Sequence, residues 1–378
     1  MASTALLDLN RCGQSIWLDS ISRELLRSGT LKRLIDEDGL SGVTANPTIF
    51  EKAIVHSQDY DDAIRRLSAR NYSPMQVYED LAVADVGAAA DLLRPVYDRT
   101  DGKDGFVSIE VSPDVAHDTE DSIEEAVRFW THLHRPNVLI KIPATPPGIP
   151  AIQHLISEGI NVNITLIFAV EVYDQVMEAY LAGLERRLSD GHSIGHIASV
   201  ASFFVSRVDT LVDEKLEERA KGASGAERES LEELRGQAAI ANAKIAYARF
   251  ERVFGGKRFA RLAEHGAMVQ RPLWASTSTK NPQYPDTLYV EPLVGLNTVN
   301  TMPMETIDAV RDHGRIACGT VQERLDDAYA LMKHLEAAGI SMREVTDQLT
   351  KEGVEKFSKS LHSLLESISE QQHSLAKV

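Results

Sequence analysis

Val138-Leu139-Ile140-Lys141-Ile142-Pro143 is an apolar run interrupted by a single lysine, and its reading decides the fold. Alternate residues in it are β-branched, so it reads as a strand. Runs of the same kind lie on both sides of it. Upstream are Ser15-Ile16-Trp17-Leu18-Asp19, Gly42-Val43-Thr44-Ala45-Asn46 and Phe106-Val107-Ser108-Ile109-Glu110-Val111. Downstream are Asn161-Val162-Asn163-Ile164-Thr165-Leu166, residues 197–204, Pro272-Leu273-Trp274-Ala275-Ser276 and Thr287-Leu288-Tyr289-Val290. Segments of helical period separate them, which is the alternation of an α/β protein. Eight strands is the number that closes a (β/α)8 TIM barrel, the fold expected here over an open doubly wound sheet.

The spacing predicts helices over 22–28, 31–36, 60–70, 75–93, 120–133, 171–188 and 205–220. Lys221-Gly222-Ala223-Ser224-Gly225 breaks the pattern, which resumes over 226–254. That hairpin exceeds one crossover, so a helical insertion over about 209–256 is expected before the seventh strand. After the eighth strand the chain reads as helical over 304–313, 321–338 and 341–370, a C-terminal extension of about 304–371. Asp312-His313-Gly314 reads as a helix stop with glycine where a positive φ is tolerated, and Ser341-Met342-Arg343-Glu344 as a capping box. No linker or repeat beyond the β/α alternation stands out, so one domain over 1–378 is expected.

The 378 residues carry 40 Lys+Arg against 56 Asp+Glu, a formal charge of −16. Hydrophobic residues at 43% and charged residues at 25% are globular values that exclude bulk disorder. The acidic balance argues against nucleic acid or an anionic membrane as the main partner. It leaves room for a small anion held by a few local cations. Cys12 and Cys318 are too few for a disulfide framework, suit a reducing compartment and read as packing residues. With no signal-like segment and no membrane-length apolar run, a cytoplasmic protein is expected.

Lys141 is the most informative residue. A lysine inside an apolar strand is costly unless it has a task or a partner. Desolvation disfavours the ammonium, and a neutral amine is what Schiff-base formation with a ketone requires. The alternative is an exposed strand position or a carboxylate partner. Polar residues also punctuate the other strands, and in a barrel they would converge at the C-terminal mouth. They are Asp19, Thr44, Asn46, Glu110, Asn163, Thr165, Ser202 and Ser276. Each has a bland reading too: Asp19 and Asn46 as helix caps, Thr44 and Thr165 as strand formers, Glu110 as an exposed charge, the rest as packing or turn residues. Arg207, just after the sixth strand, is a candidate for an anionic substrate group, because a guanidinium presents a fork suited to phosphate. Lys280, in a hydroxyl-rich loop, is another. No His/Cys/Asp/Glu cluster has metal-ligand spacing, and no glycine-rich phosphate loop follows a strand. No metal or cofactor is therefore expected.

Gly42-Val43-Thr44-Ala45-Asn46-Pro47-Thr48-Ile49-Phe50 and Val138-Leu139-Ile140-Lys141-Ile142-Pro143-Ala144-Thr145 resemble the two signature stretches of the transaldolase family. Asn161 to Phe168, Ser15 to Leu25, Trp274 to Pro282 and Gly353-Val354-Glu355-Lys356-Phe357 are similar to family segments as well. The chain resembles the longer bacterial subgroup. The resemblance implies a class I aldolase-type barrel of the pentose phosphate pathway, acting on small phosphorylated sugars as a monomer or homodimer. It implies a transferase that moves a dihydroxyacetone unit from sedoheptulose 7-phosphate to glyceraldehyde 3-phosphate, giving erythrose 4-phosphate and fructose 6-phosphate.

By the matched motifs Lys141 is the Schiff-base lysine and Asp19 the acid/base carboxylate. Glu110 and Thr165 match the pair that handles the water of carbinolamine formation and loss. Asn46, Asn163 and Ser202 match groups that hold the dihydroxyacetone hydroxyls, with Thr44 nearby, while Arg207 and Ser276 match phosphate contacts. One departure stands out. Where the better-known subgroup carries an arginine two residues after the phosphate-binding serine, this chain has Ser278, and Lys280 is the expected replacement. Two alternatives remain at this point: a fructose-6-phosphate aldolase that releases free dihydroxyacetone, and an inactive barrel serving as a binding scaffold.

Overall fold

The computed structural model describes residues 4–375. The outermost three residues of the expected 1–378 domain at each end lie outside the described residues. Eight parallel strands close into a barrel in chain order: β1 (Gln14–Leu18), β2 (Leu40–Thr44), β3 (Phe106–Glu110), β4 (Val138–Pro143), β5 (Val162–Ile167), β6 (Ser199–Phe204), β7 (Arg271–Ala275) and β8 (Thr298–Met302). β8 pairs back onto β1, so no strand edge is left open.

Helix α1 (Ala5–Arg11) precedes the barrel. Then come α2 (Arg23–Arg27) and α3 (Thr30–Glu37) before β2, and α4 (Pro47–Val55), α5 (Asp61–Ser68) and α6 (Pro74–Arg99) before β3. Single helices, α7 (Thr119–Leu133), α8 (Gly148–Ser157) and α9 (Val170–Ser189), make the next three crossovers. Between β6 and β7 lie α10 (Ser206–Gly222), α11 (Ala226–Glu233), α12 (Ala238–Phe254) and α13 (Lys257–Ala263), and the chain finishes with α14 (Met304–His313), α15 (Leu325–Ala337) and α16 (Met342–Leu375). Among the described residues no helix is long and apolar enough to cross a membrane.

The register shows why these residues fill a barrel. Trp17 pairs with Gly42, Gly42 with Phe106 and Thr44 with Ser108, so all of these side-chain positions face inward. The Trp17 indole occupies the space over Gly42, where an added Cβ would come within 2.4 Å of the ring. Below it, Arg271 reaches Ser15 Oγ at 2.6 Å and the Thr298 carbonyl at 2.7 Å, while Asp104 accepts from Trp17 Nε1 at 2.9 Å. This network fills the N-terminal end of the barrel and leaves the C-terminal end as its opening.

The structure departs from the sequence reading in several places. Thr287-Leu288-Tyr289-Val290 is a turn, and the eighth strand is Thr298–Met302. The apolar residues of the turn are spent on burying Tyr289 and Val290 in the loop, with the Tyr289 hydroxyl donating to Asp209 at 2.9 Å. The true strand is polar, and neighbouring segments bond most of its polar groups, Asn300 Nδ2 excepted. Gln14 Nε2 reaches Thr298 Oγ1, and Asn300 Oδ1 accepts from Thr277. The 226–254 helix is two helices, broken at Gly236, whose φ of +70° only glycine adopts readily and whose N–H donates to Asp213. Gly314 does end α14 but with φ −58°; glycine is required there because a Cβ would lie 2.7 Å from the Val310 carbonyl. Cys12 and Cys318 are not independent packing residues. They are joined in a disulfide across 306 positions, tying the end of α1 to the segment after α14.

Candidate active site

The strand ends deliver their polar residues to one cavity of about 240 Å³ at the open end of the barrel. Glu110, Lys141 and Asn163 pair in register across β3, β4 and β5, so their side chains point to the barrel interior at one level. Lys141 is only 4% exposed. Its Nζ lies 2.9 Å from Glu110 Oε2 and donates to the Ala45 carbonyl at 3.1 Å. The carboxylate partner and the buried amine, set against each other in the sequence, thus occur together. Burial raises the pKa of Glu110 above the usual carboxylate range, while Lys141 acts in the opposite direction. A carboxyl group tuned upward is a better acceptor for a proton leaving the lysine. Apart from the ammonium contact, Glu110 Oε2 has no partner, and the fully buried Thr165 hydroxyl has none either. An orphaned hydroxyl and a carboxylate oxygen held only by the lysine, beside one amine, suit the handling of a small polar molecule.

Asp19 follows β1 and is held from two sides: its N–H donates to the Met302 carbonyl at 2.8 Å, and Thr44 Oγ1 donates to its Oδ1 at 2.7 Å. Thr44 also meets Thr301 Oγ1 at 2.7 Å, which extends the chain of hydroxyls to β8. Burial raises the pKa of Asp19; the Thr44 hydrogen bond, Lys141, Arg207 and Lys280 pull it down again. Such a carboxylate can both take and return a proton.

Asn46 is indeed a helix cap, its Oδ1 accepting from Ile49 N–H at 3.0 Å at the start of α4. An asparagine has a second polar end, and Asn46 also lines the cavity. Asp19 caps nothing, since Ser22 caps α2. Thr44, Thr165, Ser202, Arg207, Ser276 and Lys280 line the cavity with Lys141 and Asp19. Asn163 and Glu110 stand behind the lining. Asn163 donates to Ser108 at 2.9 Å and accepts from Ser202 at 2.7 Å, so it reaches the cavity through the serine hydroxyl.

Two backbone irregularities shape the rim. Between Ile164 and Ile167, β5 carries an extra residue opposite β6, with Leu166 at φ +58°. Ser276 has φ +56°; its carbonyl accepts from Ser206 N–H at 3.0 Å and the two hydroxyls meet at 3.0 Å. Left-handed backbone at a non-glycine residue costs free energy and is held here by its neighbours. Arg207, in the first turn of α10, sets its guanidinium 5.4 Å from the centre of the Phe204 ring. The sequence reading did not single out Thr48, Lys52, Thr301, Glu305 or Lys356 as site residues, yet all line the cavity. For Thr301 the misplaced eighth strand hid the signal. For Lys356 a signal exists in the family-like segment Gly353-Val354-Glu355-Lys356-Phe357, but a helix lysine otherwise reads as a solvated charge.

Comparison with known proteins gives a consistent picture. The family model described as Transaldolase/Fructose-6-phosphate aldolase matches residues 16–368. A protein named transaldolase from Thermobifida fusca (strain YX) is 49% identical over 97% of this chain and 98% of its own length. Another from Saccharopolyspora erythraea is 48% identical over 96% of each chain. One from Mycobacterium tuberculosis (strain ATCC 25618 / H37Rv) is 49% identical over 96% of this chain and 95% of its own.

Proposed function

The chain belongs to the transaldolase/fructose-6-phosphate aldolase family, and on that premise we propose that Lys141 carries transaldolase chemistry as a Schiff base. The substrates are phosphorylated sugars of the pentose phosphate pathway. A dihydroxyacetone unit moves from sedoheptulose 7-phosphate to glyceraldehyde 3-phosphate. The single observation that carries this reading is the buried Lys141 amine, 2.9 Å from Glu110 and in one cavity with Asp19.

The steps follow from the groups present. Glu110 accepts a proton from Lys141, and the freed amine attacks the ketose carbonyl at C2. The resulting carbinolamine loses water, handled by Glu110 and Thr165, to give an iminium. Asp19 takes the proton of the C4 hydroxyl as the C3–C4 bond breaks; the bonding electrons pass to the iminium nitrogen and leave an enamine. Erythrose 4-phosphate departs. The enamine stays, its hydroxyls held by Asn46 and Ser202, with Asn163 orienting the serine. Enamine carbon then bonds to the aldehyde carbon of glyceraldehyde 3-phosphate, and Asp19 returns the proton to the new alkoxide. Water adds back, and fructose 6-phosphate leaves. Arg207, Ser276 and Lys280 hold the phosphate, which fixes the reacting carbon relative to Lys141 and Asp19. These sugars are made and used in the cytoplasm, so the reaction belongs there.

The family description covers both a transferase and an aldolase. The near full-length relatives named transaldolase favour the transferase. The test is fructose 6-phosphate turnover with and without erythrose 4-phosphate. A transferase forms glyceraldehyde 3-phosphate at a rate that depends on the acceptor. Equal turnover without acceptor would make the protein an aldolase, and no turnover in either case would leave a binding scaffold.

A further inference from the structure

Four cations line the cavity: Lys52 on α4, Arg207 on α10, Lys280 after β7 and Lys356 on α16. Among the described residues none of the four is ion-paired with a carboxylate. Cations elsewhere on this acidic chain are often doubly paired, as Arg258 is with Glu178 and Glu185. Glu305 acts on Lys280, and Asp19 on both Arg207 and Lys280, through the field and without a direct ion pair. Keeping four like charges together with no carboxylate in direct contact is unfavourable unless an anion joins them. Accordingly, burial and the charges of Arg207, Lys280 and Lys52 push the pKa of Lys356 down.

The placement of Lys356 is built rather than incidental. Gly353, Lys356, Phe357 and Ser360 recur at three- and four-residue spacing, so they share one face of α16. Gly353 lets that face press on the irregular β5 turn, where an added Cβ would lie 2.8 Å from Leu166. One turn beyond the lysine, Ser360 Oγ meets Thr48 Oγ1 of α4 at 2.9 Å, and Ser358 donates to Asp114 at 2.9 Å. Thr48 and Lys52 are themselves four residues apart on α4. The contact between the two helices therefore brings Lys52 and Lys356 to the same rim.

We propose that Lys52 and Lys356 are specificity-determining residues that grip the sugar phosphate together with Arg207 and Lys280, adding to the positive charge around Ser278. This rests on the transaldolase reading for the identity of the substrate. A phosphate monoester carries close to two negative charges at neutral pH, and Lys52 and Lys356 add to the positive charge that Arg207 and Lys280 bring to it. Lys280 donates to Ser278, which orients it within the post-β7 loop. The C-terminal helix thereby becomes part of the substrate site and makes it selective for phosphorylated acceptors.

The test uses the full chain with Lys52→Met, Lys356→Met and the charge-keeping Lys356→Arg. kcat/KM is measured for glyceraldehyde 3-phosphate and for D-glyceraldehyde as acceptors, along with inhibition by inorganic phosphate. Each methionine variant should lower the ratio of the two kcat/KM values about tenfold and raise the inhibition constant of phosphate by a similar factor. Lys356→Arg should restore most of both. A structural role alone would depress both acceptors alike and leave the ratio fixed, which overturns the proposal. Phosphate binding by Lys141→Ala, followed by calorimetry, separates the two readings. That variant should bind inorganic phosphate as the parent does, and the Lys356→Met change should weaken binding in the Lys141→Ala background even if no sugar is ever turned over. Undiminished binding there also counts against the grip.

Discussion

Replacing Thr44 with valine removes a single hydroxyl of near-constant volume from the acid/base carboxylate. In the structure that hydroxyl donates to Asp19 Oδ1 at 2.7 Å and counteracts the burial that raises the carboxyl pKa. A hydrogen bond to a charged group contributes about 1.5–3 kcal/mol, and one pH unit corresponds to about 1.4 kcal/mol. The sign is fixed by the chemistry. Losing a donor disfavours the carboxylate, so Asp19 holds its proton to higher pH. Cleavage needs Asp19 ionised to accept the C4 hydroxyl proton, so the acid limb of kcat/KM must move upward, by roughly one pH unit or somewhat more. The assay is kcat/KM for fructose 6-phosphate with erythrose 4-phosphate across pH 5 to 9, alongside a melting curve to show that Thr44→Val is folded. An acid limb that stays in place, or moves to lower pH, would refute the coupling between Thr44 and Asp19 and the base role of Asp19 with it.

Three further outcomes are expected. Arg207→Ala should raise the Michaelis constants of phosphorylated sugars much more than it lowers kcat, and an unchanged constant for every phosphorylated substrate would argue against the phosphate role. Cys12→Ser should cost ~2–4 kcal/mol of stability by freeing a loop closed across 306 positions, visible as a lower Tm under non-reducing conditions. Its kcat should hold, because the bond lies at the end of the barrel opposite the cavity. Asp209 is pushed up to about 7 by burial, against hydrogen bonds from Ala239 N–H and the Tyr289 hydroxyl. A carboxyl raised in the folded state favours folding most at low pH, and that contribution fades as pH rises from about 4 to about 7. Asp209→Asn should therefore flatten the pH dependence of Tm in that window; an unaltered slope would contradict the assignment.

Seven of the eight strands were legible because each packs apolar, mostly β-branched or aromatic residues into a short run that holds or ends on a polar one. Those same polar ends carry the candidate site, so Asp19, Thr44, Asn46, Lys141, Thr165 and Ser202 could be singled out before any contact was known. β8 was illegible for a physical reason. Thr298, Asn300 and Thr301 look like loop residues until their hydrogen bonds with Gln14, Thr277 and Thr44 are seen. The Cys12–Cys318 bond was equally hidden, since nothing local in either segment announces a partner 306 positions away. Lys52 and Lys356 sit on helices, where lysine is the usual solvent-facing residue. Only the packing of α16 over α4 turns them toward the cavity.

Reducing the enzyme with borohydride in the presence of fructose 6-phosphate, then mapping its peptides by mass spectrometry, bears most directly on the Schiff base. With Lys141 as the reacting amine, the peptide containing 138–143 gains one reduced dihydroxyacetone unit, and Lys141→Ala gains none. An intact parent peptide, or the same mass gain on a different lysine, would contradict it.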